Sequence, residues 1–223
     1  MIRLDRLTKI FRIKGQRKVV ANNICVDLPG GVAIGLLGRN GAGKSTLMQI
    51  IAGNMDPTSG QILSTGTISY PVGFSGSFHA DLTGAQNTRF VARIYGIDTE
   101  ALVDFVEEFA ELGPHFHLPF RSYSAGMKSR LSFGVSMGIP FDTYLVDEVT
   151  SVGDASFKAK SSAVFLDRMH NAGALFVSHS TAMVRSLCKM GAVLENGDLT
   201  LYEDVDEAIE KHAENMRKPN AGR

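Results

Sequence analysis

Apolar and polar residues follow two different periods along this chain, and the switches between them divide it. Residues 2–13 read as a first strand, Ile2 to Leu7 followed by Ile10-Phe11-Arg12-Ile13. Residues 15–18 (Gly-Gln-Arg-Lys) look like a turn, and Val19 to Leu28 alternates as a second strand. Pro29-Gly30-Gly31 breaks that strand before Val32-Ala33-Ile34-Gly35-Leu36-Leu37, a continuous apolar run that predicts a buried strand. Leu47, Ile50 and Ile51 then recur at helical spacing. Asp56-Pro57-Thr58-Ser59-Gly60 is a turn cluster, and short β segments follow through Ile62, Leu63, Ile68 and Tyr70.

The period changes at Thr83-Gly-Ala-Gln86, which fits a capping box. Phe90, Val91, Ile94 and Tyr95 form one helical stripe, and Leu102, Phe105, Val106 and Phe109 form another. An apolar helix opens after Tyr123 and runs to about Gly138, so residues 84 to about 138 read as a helical insertion between parallel strands. Short apolar strands return at Tyr144-Leu145-Val146 and Ala174-Leu175-Phe176-Val177, with a helix through Phe157, Ser161, Val164, Phe165 and Met169 between them. Glu195-Asn196-Gly197-Asp198 carries an Asn-Gly hairpin signal. Val205, Ala208, Ile209 and Ala213 mark a last helix.

Composition narrows the class. The 223 residues suit one domain with an inserted subdomain, and 23 basic against 23 acidic residues leave no general attraction for nucleic acid. The uncharged run from Leu131 to Phe141 is too short to span a bilayer, where about 20 residues are needed. Met1-Ile2-Arg3-Leu4-Asp5 has no signal-peptide pattern, and Cys25 and Cys188 are expected as isolated, buried small hydrophobes. These features point to the cytoplasm.

The chemistry concentrates at residues 38–46, Gly38-Arg39-Asn40-Gly41-Ala42-Gly43-Lys44-Ser45-Thr46, which fit G-x-x-x-x-G-K-[ST]. Glycines let the backbone curl its N–H groups around phosphate oxygens, Lys44 brings positive charge to the β and γ phosphates, and Ser45 offers a hydroxyl to Mg²⁺. The helix that follows points the positive end of its dipole at the same anion. Strand, glycine loop and helix stand in the required order. Two other strand ends carry candidate chemistry: Asp147-Glu148, and Ser178-His179-Ser180. Carboxyl ends of parallel strands are where open α/β sheets build ligand sites. His115-Phe116-His117 lacks neighbouring ligands in sequence and reads better as a solvated loop than as a metal site. Phe11, on its own, reads as a core aromatic.

Taken together, these motifs resemble the ATP-binding subunits of ABC transporters over essentially the whole chain. The loop at 38–46 resembles the Walker A motif, Tyr123-Ser124-Ala125-Gly126-Met127 the family signature, and Leu145-Val146-Asp147-Glu148 Walker B. Thr150-Ser151-Val152-Gly153-Asp154 is similar to the D-loop and His179 to the switch histidine. The resemblance implies an α/β fold: a P-loop NTPase core with an antiparallel β subdomain and an inserted helical subdomain, all one ATP-binding domain over residues 1–223. It also moves Phe11 from the core to adenine stacking. It implies ATP and Mg²⁺ as ligands, with ATP contacted by Gly38, Asn40, Gly41, Ala42, Gly43, Lys44, Ser45 and Thr46, and metal held by Ser45 and Asp147. Glu148 would polarise the attacking water, and Lys44 and His179 would act on the γ phosphate. Ser124, Gly126 and Asp154 would also bind the nucleotide, Ser124 and Gly126 closing on the γ phosphate held by the other copy of a head-to-tail homodimer.

Departures from the pattern narrow the family. Tyr123, Ala125, Met127 and Gly153 stand where the family usually has other residues, and Tyr70 to Phe78 contains no glutamine for a Q-loop. Pro71-Val72-Gly73-Phe74, Leu82-Thr83-Gly84 and Asn87 to Gly96 resemble the capsular polysaccharide export ATP-binding proteins of Gram-negative bacteria. That resemblance implies an integral membrane permease, periplasmic and outer-membrane export proteins, no nucleic acid, and a place on the cytoplasmic face of the inner membrane. The alternatives are the same motor serving O-antigen, teichoic acid or another substrate, a soluble non-transport ABC ATPase, and a nucleotide-gated binding protein. The chain has neither the second cassette nor the long coiled coil usual in the soluble class, and Glu148 argues for hydrolysis.

Overall fold

The computed structural model describes residues 1–13, 15–73, 76, 78–147 and 155–217. The described residues of 1–71, 141–148 and 169–223 form one compact unit, and those of 72–140 and 149–168 form a second.

The first unit contains two sheets. Strands β1 (Ile2–Ile13), β2 (Gln16–Leu28) and β4 (Ser59–Ser64) form an antiparallel sheet in the order β2-β1-β4. β1 spans the residues 2–13 that the sequence pattern marks, and β2 is longer than its pattern suggests. The interruption in β1 is a bulge with Arg6 at φ 50°, not a strand end, and Gln16, Arg17 and Lys18 belong to β2 because the turn is tighter, at Gly15 with φ 80°. Ser59 and Gly60 likewise belong to β4 and not to the preceding turn. Cys25 corrects another expectation. Ile24 and Leu28 face the core, so the two-residue period of β2 turns Cys25 outward. Cys188 is buried as expected, and burial pushes its thiol pKa up to about 12.

The second sheet has six strands in the order β5-β6-β7-β3-β8-β9. These are β3 (Ala33–Leu37), β5 (Ile68–Pro71), β6 (Thr143–Asp147), β7 (Gly173–Val177), β8 (Met190–Glu195) and β9 (Asp198–Tyr202). All neighbours are parallel except β9, which returns antiparallel to β8 through Asn196 and Gly197 at φ 50° and 90°. Every residue of β3 and β7 is buried, which explains their unbroken apolar runs. Helices α1 (Lys44–Ile51), α6 (Thr181–Leu187) and α7 (Val205–Arg217) belong to this unit. The sequence pattern does not reveal α6, whose single buried residue, Val184, makes no period.

The second unit is helical, with α2 (Gly84–Tyr95), α3 (Thr99–Ala110), α4 (Ala125–Gly138) and residues 155–168 of α5 (Ala155–Asn171). The capping box forms: Thr83 Oγ1 accepts from Gln86 N at 3.1 Å while Gln86 Oε1 accepts from Thr83 N at 2.9 Å. Asn87, fully buried, ties the approach to α2. Its Oδ1 accepts from His79 N at 2.8 Å, and its two amide protons are shared among the carbonyls of His79, Leu82 and Thr83. Residues 113–117 form a 3-10 turn that buries Phe116 completely and leaves His115 and His117 exposed. His117 lies 3.2 Å from Glu107, and no group of three or more His, Cys, Asp or Glu side chains placed to hold a metal ion occurs among the described residues.

Candidate functional site

The phosphate loop begins where β3 ends, in the middle of the parallel sheet. Close approach explains its first glycine: a Cβ on Gly38 would come within 2.5 Å of the Leu194 carbonyl oxygen. Gly43 has a different constraint. Its φ of 109° is open to glycine and strained for other residues, and a Cβ there would run into the side chain of Val20. Gly43 also caps α1 without any side-chain hydrogen bond. The first-turn amides of α1 therefore remain available to an anion, on the positive end of the helix dipole. Lys44 Nζ donates to the carbonyls of Gly38 and Arg39 at 2.7 and 3.2 Å, which holds the ammonium inside the curl of the loop.

A cleft of about 490 Å³ opens over this loop. Asn40, Gly41, Gly43, Lys44, Ser45 and Thr46 line its floor, and His179 stands at one side. Phe11, half-exposed, also lines this cleft, as do Lys18 and Val20. Lys18 faces Phe11 across the β1–β2 ladder, and Lys9 places its ammonium 5.1 Å from the ring centroid. Sheet order explains the convergence. β6 and β7 run parallel with Asp147 in register with Val177, so Asp147 and His179 emerge at the same carboxyl edge as the loop. The acceptors at this edge are hard oxygens, the exposed Ser45 hydroxyl and the Asp147 carboxylate, a donor set that suits Mg²⁺. Glu148 and Asp154 lie outside the described residues.

In the second unit, Ser124 caps α4 by accepting from Met127 N at 3.3 Å. Tyr123 is buried against Phe120, so this departure from the signature contributes to the core of the unit. Gly126 shows no internal need for glycine. A Cβ there would meet only Ser124 Oγ, at 3.9 Å, and the surface above it is a cleft of about 550 Å³ bordered by His115, Met127 and Arg130.

Sequence reasoning singled out no role for Arg39, Glu195 or His212, yet all three gather beside the loop. Arg39 Nε lies 3.5 Å from Glu195 Oε1. Burial holds the proton affinity of His212 below the ordinary imidazole value, and Lys44 adds to that depression. No signal marks such a set, because 156 residues separate Arg39 from Glu195 (195 minus 39).

A phosphate loop at the central strand of a parallel sheet, with carboxylate and histidine on adjacent strand ends, defines a P-loop nucleotide-binding cassette. The family model described as "ABC transporter" matches residues 21–151. Polysialic acid transport ATP-binding protein KpsT of Escherichia coli is 44% identical over 95% of this chain and 96% of its own length. Capsule polysaccharide export ATP-binding protein CtrD of Neisseria meningitidis serogroup B is 41% identical over 94% and 97%. Relatives named for O-antigen or teichoic acid export share 32% to 34%. Among solved structures, the ATP-binding subunit of an ABC transporter superposes with a TM-score of 0.78 at 20% identity, covering 98% of this chain and 100% of that one. The chain belongs to the ABC transporter family and is one of its ATP-binding, ATP-hydrolysing subunits.

Proposed function

We propose that this subunit energises export of capsular polysaccharide across the inner membrane. The observation that carries this reading is likeness along nearly the whole chain, at 41% and 44% identity, to proteins named for capsule polysaccharide and polysialic acid transport. Two copies act together, beneath an integral membrane permease and in line with periplasmic and outer-membrane export proteins. No helix among the described residues is long and apolar enough to cross a membrane, which supports a peripheral place at the cytoplasmic face beside a separate permease.

The roles of the residues are those that the resemblance to the family implies. Phe11 stacks on adenine, and Gly38 to Thr46 wrap the phosphates with amides, the Lys44 ammonium and the Thr46 side chain. Ser45 and Asp147 would hold Mg²⁺, which would supply charge neutralisation for the phosphates. Glu148 polarises the attacking water, and His179 contacts the γ phosphate. Ser124 and Gly126 of one copy close on the nucleotide held by the other, and Asp154 contributes to nucleotide binding. The bare backbone of Gly126, with open space above it, supports that contact. Phosphoryl transfer requires mainly positioning and charge stabilisation, and these groups supply both.

The test is surface polysaccharide in the source organism after Lys44→Ala, with the level of the variant protein checked. Loss of surface polymer with accumulation inside the cell is expected. Unchanged surface polymer, while the purified wild-type subunit hydrolyses ATP, would show that the motor serves another cargo.

A further inference from the structure

The phosphate loop has a second wall. A cleft of about 290 Å³ is bordered by Gly38, Arg39, Asn40, Lys44, His179 and His212. Asn40, Lys44 and His179 border the nucleotide cleft as well, so the two openings share a boundary. The far side of this second cleft is α7, which also contributes Met216. The helix sits close because β8 carries glycine at position 191, where any Cβ would run into Ala208.

Arg39 joins the loop to that helix. Its guanidinium donates to the Asn215 carbonyl on α7 and faces Glu195 at the end of β8, with its side chain only 19% exposed. His212 lies one turn from Asn215 on the same helix. Its Nδ1 is buried without a hydrogen-bond partner among the described residues, and so is Oε2 of Glu195. The charges acting on His212 come from three elements: Lys44 on α1 and Arg39 on the loop oppose its protonation, while Glu195 on β8 favours it. His179 shares its cleft, and on α7 itself Lys211 pairs with Glu214 at 3.3 Å. From α6, Arg185 pairs with Asp206 at the start of the helix.

We propose that α7 is a working wall of the phosphate site: Arg39 is a positioning residue that α7 and Glu195 hold so that the loop keeps its cradle, and His212 takes up a proton when a nucleoside triphosphate arrives beside Lys44. The inference rests on the reading above that this loop binds ATP. A triphosphate offsets the positive charge of Lys44, which is one of the causes that keep His212 neutral. Binding therefore raises the proton affinity of His212, and by linkage a fall in pH strengthens binding through this group. An arginine fixed at two points costs the loop less ordering when ligand binds than a loose one.

The experiment is calorimetric titration of the purified subunit with AMP-PNP and Mg²⁺, at about pH 6 and about pH 8, where an ordinary imidazole is largely charged and largely neutral. Buffers of different ionisation enthalpy report the protons taken up. At the lower pH, wild type is expected to take up more protons than His212→Gln, and at the higher pH the two are expected to agree. Proton changes on the nucleotide are common to both and cancel in the difference. Should His212→Gln not fold, His212→Asn takes its place. Arg39→Ala is expected to raise Kd about fivefold, about 1 kcal/mol, with Arg39→Lys recovering part of the loss. Equal proton uptake at the lower pH would overturn the role of His212. A reduced binding stoichiometry with unchanged Kd would mark Arg39 as merely structural. Wild type that binds no AMP-PNP would instead overturn the ATP reading itself.

Discussion

Gly43→Ala tests the phosphate site at its tightest point. Alanine must adopt φ 109° and ψ 15°, a sparsely populated conformation that costs about 1–3 kcal/mol. Its Cβ would also stand 3.2 Å from Val20 Cβ and closer still to Val20 Cγ1, and Val20 is only 2% exposed on β2. Overpacking of that kind costs about 1–3 kcal/mol. The loop can escape both costs by abandoning its curl, so the loss of folding stability is the smaller effect. A bound nucleotide must restore the curl and therefore meets the whole cost. With about 3 kcal/mol charged to binding, Kd for AMP-PNP rises about a hundredfold, while Tm moves little. Adding Val20→Ala removes the closest contact, with Cγ1, and leaves the 3.2 Å Cβ contact and the backbone strain, so the double variant should recover about 1 kcal/mol beyond additivity. A Kd for Gly43→Ala within about threefold of wild type would refute the reasoning, because neither cost could then reach the ligand.

Three further outcomes are expected. Glu148→Gln should retain ATP binding and trap an ATP-bound dimer while steady-state hydrolysis disappears; activity within a few-fold of wild type would remove Glu148 from the role of base. Asn87→Ala removes the Oδ1 acceptor and both amide donors from a fully buried site, so thermal unfolding should report a loss of about 3 kcal/mol, a drop in Tm of about 6–12 °C. The Asp142 carboxylate accepts from Thr67 N at 2.7 Å and from Thr67 Oγ1 at 2.8 Å, and these bonds hold its pKa below the ordinary value of 3.8. Its contribution is therefore present above the ordinary carboxylate pKa and is lost as pH falls through the depressed folded value. Asp142→Asn should be less stable than wild type at neutral pH, and the gap should close under acid; a gap independent of pH would deny the carboxylate this part.

The elements legible in the sequence are those whose determinants lie within a few residues. Thr83 and Gln86 cap α2 because three residues span one turn, and Asn196-Gly197 turns the β8–β9 hairpin because both residues tolerate positive φ. The run from Val32 to Thr46 identified strand, loop and helix together, since phosphate binding demands glycine, lysine and hydroxyl at fixed spacing. Phe11 shows the boundary of this reasoning. Its own surroundings in sequence suggested core, and only the family pattern moved it toward a ligand; in the structure it lines the cleft over the loop.

The sequence by itself determined the nucleotide chemistry and the division between a parallel sheet and a helical insertion, because both are written in local spacing and hydrophobic period. Tertiary structure alone decided which distant residues meet. β3 lies between β7 and β8, and that order, set by long-range strand pairing, brings His179 and Glu195 to the two flanks of the loop. The packing of α7 on β8 then delivers His212 and Asn215 to Arg39. Such contacts depend on strand order and the close fit of helix against sheet, which no window of neighbouring residues encodes.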